Sequence, residues 1–198
     1  LGGSTTRWGG QALPLTEFDF QARNWVGFSG WPITFKEAYQ FLPKAFELLK
    51  VDQQNYTDEI FKRINVIPPE FDKDILDYHV SKWSPFPDFK KNHISGLAQR
   101  PNVMILTNAN LTKINLTEDL NKVINMIFCT LEFKTIIVRS RHYILCTGGI
   151  ENARILLSNN HQMARGIGNT NDLVGRFLQD HPSAMVGILK ECNRRQIQ

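Results

Sequence analysis

Two glycine clusters and one Asp-His pair are the places where residue type and spacing in this sequence suggest chemistry. The chain opens on Leu1-Gly2-Gly3-Ser4-Thr5-Thr6-Arg7-Trp8-Gly9-Gly10, and four of the six glycines in the first thirty residues lie in this stretch. Glycine is used where the backbone must take positive φ or approach another group with no Cβ between them, so the stretch reads as a loop laid against a ligand. The second cluster is Thr147-Gly148-Gly149, between the apolar run at 143–146 and a segment beginning Ile150-Glu151-Asn152-Ala153-Arg154. A helix starting at such a turn presents unpaired N–H groups and the positive end of its dipole above the preceding strand, where phosphates and sugar hydroxyls bind. Many strand-to-helix connections use the same turn for packing alone. Asp180-His181-Pro182 is the third place, and it reads equally as a functional His or as an Asp-His hydrogen bond fixing a turn before proline.

Other chemistries lack their motifs. The chain contains no G-x-G-x-x-G, no G-x-x-x-x-G-K-[ST], no G-x-S-x-G and no H-E-x-x-H. The remaining histidines are His142, expected at a strand start in a structural role, His79 and His93, expected in an irregular segment, and His161, expected after a helix end. Cys129, Cys146 and Cys192 are odd in number and contain no C-x-x-C pair, so they indicate neither zinc nor a disulfide framework, and Cys146 is expected to be a buried free thiol. Sequons begin at Asn55, Asn110 and Asn115; they would matter in a secreted glycoprotein segment but do not fix a compartment.

The elements that must position these residues follow from periodicity. Thr34 and Glu37 form a T-x-x-E capping box, and Ala38, Phe41, Leu42, Ala45, Leu48 and Leu49 recur at helical spacing, with Pro43 predicting a kink or a short first turn followed by the main helix. Residues 52–100 are irregular and aromatic, which reads as loops packed on a core ahead of any ligand stacking. After Pro101 the β-branched runs 103–106, 110–116, 122–129, 133–138 and 142–146 read as strands, the middle three as a β-meander. A helix follows from Ile150, and a further strand starts at Ser183.

Composition fits a folded protein: 198 residues, 42% hydrophobic and 21% charged. No apolar stretch approaches the roughly 20 residues needed to cross a bilayer. The net charge of +4 is scattered, with doublets at Lys90-Lys91 and Arg194-Arg195, too weak a pattern for nucleic acid. The chain begins inside a loop without an initiator Met, and is expected to be the middle of a longer protein.

Three segments together carry a resemblance. The opening loop with Ser29-Gly30-Trp31-Pro32, then Tyr143-Ile144-Leu145-Cys146-Thr147-Gly148-Gly149-Ile150-Glu151-Asn152-Ala153-Arg154, then Val174-Gly175-Arg176-Phe177-Leu178-Gln179-Asp180-His181-Pro182, are similar in type, order and spacing to signatures of the glucose-methanol-choline flavoprotein oxidoreductases, nearest their sugar- and polyol-oxidising branches. The resemblance implies an α/β fold: part of a Rossmann-like FAD domain with a β-meander, interleaved with part of an α+β substrate domain. Residues 1–30 would be the flavin-contacting loop region, 31–100 a substrate-domain segment, 101–160 the FAD-domain strands, meander and helix, and 161–198 the return toward the substrate domain.

It also implies the contacts. Gly2, Gly3, Ser4, Trp8, Gly9 and Gly10 would pass along the flavin ring and pyrophosphate. Leu111 would reach the adenine through backbone groups. Gly148, Gly149 and Asn152 would lie near the ribityl and phosphate part, and Asp180 and His181 on the return toward the substrate domain. Some relatives attach the flavin to a His where this chain has Arg7, so FAD is expected to be non-covalent. Arg7 would either stabilise negative charge along the reduced flavin's N1–C2=O edge or turn outward into a salt bridge.

The implied activity is hydride transfer from the CH–OH group of a small-molecule alcohol or sugar to the flavin. The family's catalytic His is expected in a C-terminal part outside this sequence, so no residue here is assigned as the base and the chain alone is expected to be inactive. The alternative is a truncated, non-catalytic remnant or binding module of the same fold.

Overall fold

The computed structural model describes residues 2–54, 56–68, 70, 72, 74–75, 80–181 and 183–185. The chain is mixed helix and sheet, 26% helix and 14% strand, with small antiparallel sheets. Its described residues divide into two compact units, the first running up to residue 95 and the second from residue 96 to residue 185.

The first unit starts with a 3-10 turn, Gly3–Thr6, followed by β1 (Gln11–Ala12), which pairs antiparallel with β2 (Lys82–Trp83). Between them lie α1 (Glu17–Phe20), α2 (Phe35–Tyr39), α3 (Leu42–Leu49) and α4 (Glu59–Arg63). The expected box starts α2: Thr34 Oγ1 accepts from Glu37 N–H at 3.2 Å, and the Glu37 carboxylate accepts from Thr34 N–H at 2.7 Å. Asp19 does the same for α1, accepting from Thr16 N–H at 2.7 Å and from its hydroxyl at 2.9 Å. A Glu or Gln is the usual partner at that position, which is why the second box does not stand out in the sequence. Pro43 falls at the start of α3, where its missing N–H costs nothing, so the chain makes a short helix and then the main one. The inward face of α3 differs from the expected one. Phe46 is buried, with Leu42, Ala45 and Leu49 beside it on that face, whereas Phe41 and Leu48 are exposed.

Lys82 ties this unit together. Its side chain is 8% exposed, and its ammonium donates to the Asp52 carbonyl at 3.0 Å, to Asp52 Oδ1 at 3.2 Å and to the Gln54 carbonyl. It also lies 4.6 Å from the ring centroids of both Phe46 and Tyr56. Tyr56 donates its hydroxyl to the Ala12 carbonyl at 2.8 Å, which anchors the same loop to β1. Residues 89–98, expected to be irregular, form α5 (Phe89–Ala98), which begins in the first unit. Its weak apolar periodicity and internal Gly96 hide it in the sequence.

The second unit contains the expected meander: β3 (Ala109–Leu116), β4 (Val123–Thr130) and β5 (Thr135–Val138), each antiparallel to the next, with Ile114 opposite Met126 and Met126 opposite Val138. Ile114, 2% exposed, packs with Leu116, Met126 and Ile155, the last from α6 (Gly149–Ser158). Beyond α6, two side-chain amides line the free edge of β3. Asn159 Oδ1 accepts from Ile114 N–H at 2.7 Å, while Gln162 accepts from Leu116 N–H at 2.8 Å and donates to its carbonyl at 2.9 Å. The other two expected strands, 103–106 and 142–146, form no ladder among the described residues. Their β-branched composition suits a pleated surface, but a strand also requires a neighbour. Cys146 is therefore exposed rather than buried, and Cys129 is half-buried in β4. Cys192, His79, Asn55, Pro182 and most of the strand expected from Ser183 lie outside the described residues.

Candidate functional site

The turn between residue 146 and α6 is built by Asn152. From the first turn of the helix its Oδ1 accepts from Thr147 N–H at 3.1 Å and from the Thr147 hydroxyl, while its Nδ2 donates to the Leu145 carbonyl at 3.2 Å. The Asn152 amide thus holds the turn in place. Gly148 takes φ 91°, a conformation that a Cβ disfavours, and a Cβ on either Gly148 or Gly149 would point into open space. No side chain caps α6. The first intrahelical bond runs from Asn152 N–H to Gly148 O at 2.9 Å, so the N–H groups of Gly149, Ile150 and Glu151 precede it. Glu151 in that turn is held by Arg154, Nε to Oε2 at 2.7 Å, and this hydrogen bond keeps its carboxyl below the usual range.

The segment 174–179 comes to the same helix end. Gly175, at φ 81°, lies where a Cβ would sit 3.1 Å from Leu157 Cδ1, and the stretch from Gly175 to Gln179 joins Gly149, Ile150 and Ala153 around an open cavity of about 380 Å³. Asn169 holds the approach: its Oδ1 accepts from Val174 N–H at 2.9 Å and its Nδ2 donates to the Arg165 carbonyl at 2.9 Å. Arg176, at the cavity, donates through Nε to the Asp172 carbonyl at 2.7 Å. Gly175 and Arg176 stand in the third stretch that carries the resemblance, but nothing in the sequence marks them as cavity lining.

In the opening loop the glycines divide into two groups. A Cβ on Gly2 would come within 2.9 Å of Lys90 Cβ, one on Gly9 within 2.9 Å of the Trp83 ring, and one on Gly10 within 2.9 Å of Pro87 Cβ. These three are glycine because the protein's own side chains crowd them, a sufficient reason without any ligand. Gly3, at φ 53°, faces open space. The Ser4 carbonyl accepts from Arg7 N–H at 2.9 Å and from Trp8 N–H at 3.1 Å, which closes the turn. Trp8 donates through Nε1 to the Pro87 carbonyl at 2.7 Å and meets Phe89 edge-on. Arg7 is exposed and forms no ion pair among the described residues, so the outward salt bridge is not found.

Leu111 lies on β3 opposite Phe128, packed against the core. Asp180 and His181 are fully exposed; the Asp180 carboxylate accepts from His181 N–H at 2.7 Å, the local bond that the sequence allowed, and this bond holds its carboxyl below the usual range. His93, expected in an irregular segment, stands in α5 against Phe89, with its Nε2 buried and unpaired among the described residues. No group of three or more His, Cys, Asp or Glu side chains among the described residues could hold a metal ion. Among them, too, no helix is long and apolar enough to cross a membrane. Compared with known proteins, the chain matches no family model, and no curated protein matches its sequence.

Proposed function

We propose that this chain is part of an FAD-dependent oxidoreductase of the glucose-methanol-choline kind, acting on the CH–OH group of an alcohol or sugar, with a Rossmann-like cofactor domain interleaved with a substrate domain. The observation that carries the proposal is the meeting of the second and third signatures, separated by residues 155–173, around one cavity at the uncapped start of α6. The residues there fit a phosphate-bearing cofactor: open space over Gly148 and Gly149, free N–H groups, and a dipole of the right sign.

When bound, FAD supplies the ring that accepts a hydride from the substrate carbon. The N–H groups of Gly149, Ile150 and Glu151 would donate to phosphate oxygens, and Asn152 would fix their direction through the turn beside the cofactor. On the resemblance alone, Gly3 and Ser4 would pass along the flavin ring and Arg7 would supply a cation for the charge gained on reduction. No residue of this chain is assigned to take the substrate's hydroxyl proton.

A non-catalytic remnant or binding module of the same fold is favoured by the crowding of Gly2, Gly9 and Gly10 by the protein's own side chains. The visible spectrum of the protein purified from its natural source separates the two. An oxidised-flavin band that is released by acid and bleached anaerobically by an alcohol or sugar supports the enzyme. A colourless protein that takes up no added FAD overturns it.

A further inference from the structure

At one end of the meander, the turn that leads into β4 and the chain leaving β5 enclose an open cavity of about 620 Å³. Small-molecule sites span about 300–1,000 Å³. Three basic side chains, Lys122, Arg141 and His142, line the cavity with the Ser140 hydroxyl, and no carboxylate does. Lys122 and Arg141 make no side-chain hydrogen bond or ion pair with any described residue. The acid in the adjacent turn, Asp119, is occupied by the Thr117 hydroxyl and by the backbone and side-chain amides of Asn121, the latter both at 3.3 Å.

The corner that carries these groups is braced before any ligand arrives. The Tyr143 hydroxyl accepts from Ser140 N–H at 2.8 Å and reaches the Ile124 carbonyl at 3.2 Å, pinning the segment after β5 to β4. Val123 and Ile144 add an apolar wall, Ile144 being 82% exposed. Uncompensated cations, a hydroxyl and an apolar surface on one fixed corner match a ligand with a multiply charged oxyanion and a small organic part.

We propose that this cavity binds a phosphate-bearing small molecule, its phosphate held by Lys122, Arg141 and Ser140 and its organic part against Val123 and Ile144. Arginine offers a phosphate two parallel donors and lysine a compact charge, which together suit a dianion better than a single carboxylate. The proposal is independent of the flavin reading, since none of its residues takes part in that site.

Calorimetric titration of the purified protein with inorganic pyrophosphate at physiological ionic strength tests it. Saturable binding is expected, weakened about tenfold or more by Lys122→Gln together with Arg141→Gln and left unchanged by Lys113→Gln, which removes the same kind of charge from an exposed position of β3. An equal loss in the Lys113→Gln variant, or no saturable binding at that salt, leaves an adventitious ion only and overturns the site. Should the double variant misfold, amide shifts in the unmodified protein decide. Perturbations confined to residues 122–124 and 140–144 support the site, and perturbations elsewhere overturn it.

Discussion

A buried ammonium is tolerated where several oxygens accept from it and ring faces complete its surroundings, and Lys82 has both. Lys82→Met keeps the length and loses the charge, leaving the Asp52 and Gln54 carbonyls short of a donor. A loss of about 2 kcal/mol is expected, read as a lower urea midpoint. Asp52 feels the same contact from the other side: burial pushes its carboxyl up, but the Gln54 N–H and the Lys82 ammonium outweigh that and hold it below the usual range. Arg7 is a different case, a cation with no protein partner among the described residues. If it faces the flavin, Arg7→Gln lowers the midpoint potential by about 30 mV, equivalent to ~1.4 kcal/mol for a two-electron couple. An unchanged potential removes the electrostatic role and leaves the rest of the flavin proposal standing.

Among the elements, the helix starts have a pH signature. Asp19 and Glu37 are both held below the usual carboxylate range, in each case chiefly by the backbone N–H of the cap residue and then by its hydroxyl. A carboxyl depressed on folding adds stability above its unfolded value, about 4, and that stability is lost as pH falls through the folded value. The thermal midpoint should therefore drop on acidification through this range, and Asp19→Asn with Glu37→Gln should flatten the drop. The edge amides make a second prediction. Asn159→Ala leaves the buried Ile114 N–H without its acceptor, at about 2 kcal/mol, and speeds hydrogen exchange at that amide relative to Asn115. Asn159 and Gln162 could not be found from sequence, because nothing in an Asn after a helix says which carbonyl or N–H it will meet forty residues back. The Thr34 box and the three meander strands were legible because their partners lie within a few residues or across a short turn. The runs at 103–106 and 142–146 were misread because a strand is defined by its neighbour, and composition describes only the strand itself.

At the scale of the molecule, few large side chains are fully inside. Among the described residues the buried hydrophobics are Ala12, Phe46, Ile114, Leu116, Met126 and Ile155, while Trp25, Phe28, Met104 and Ile144 are each more than three-quarters exposed. Large exposed apolar surface marks contact with something else or a tendency to associate. The protein is expected to enhance the fluorescence of an apolar dye well beyond a well-packed monomer of similar mass; a signal no larger than that monomer's would show that this surface is covered. The glycine clusters are visible in the sequence because they are local, and the crowding of Gly2, Gly9 and Gly10 is not, because Lys90, Trp83 and Pro87 arrive from some eighty residues away.

The amides seated along β3 also set how copies of this chain could join. An endless fibre needs two bare flanks on every copy, so that each can receive one neighbour and offer itself to the next. From Ile114 to Leu116 one flank is already taken by Asn159 and Gln162, so a neighbouring strand cannot add along that part of β3. A copy adding at β5 instead would meet Arg139 and Lys134 at the borders of that strand, the latter already paired with Glu132 at 2.7 Å.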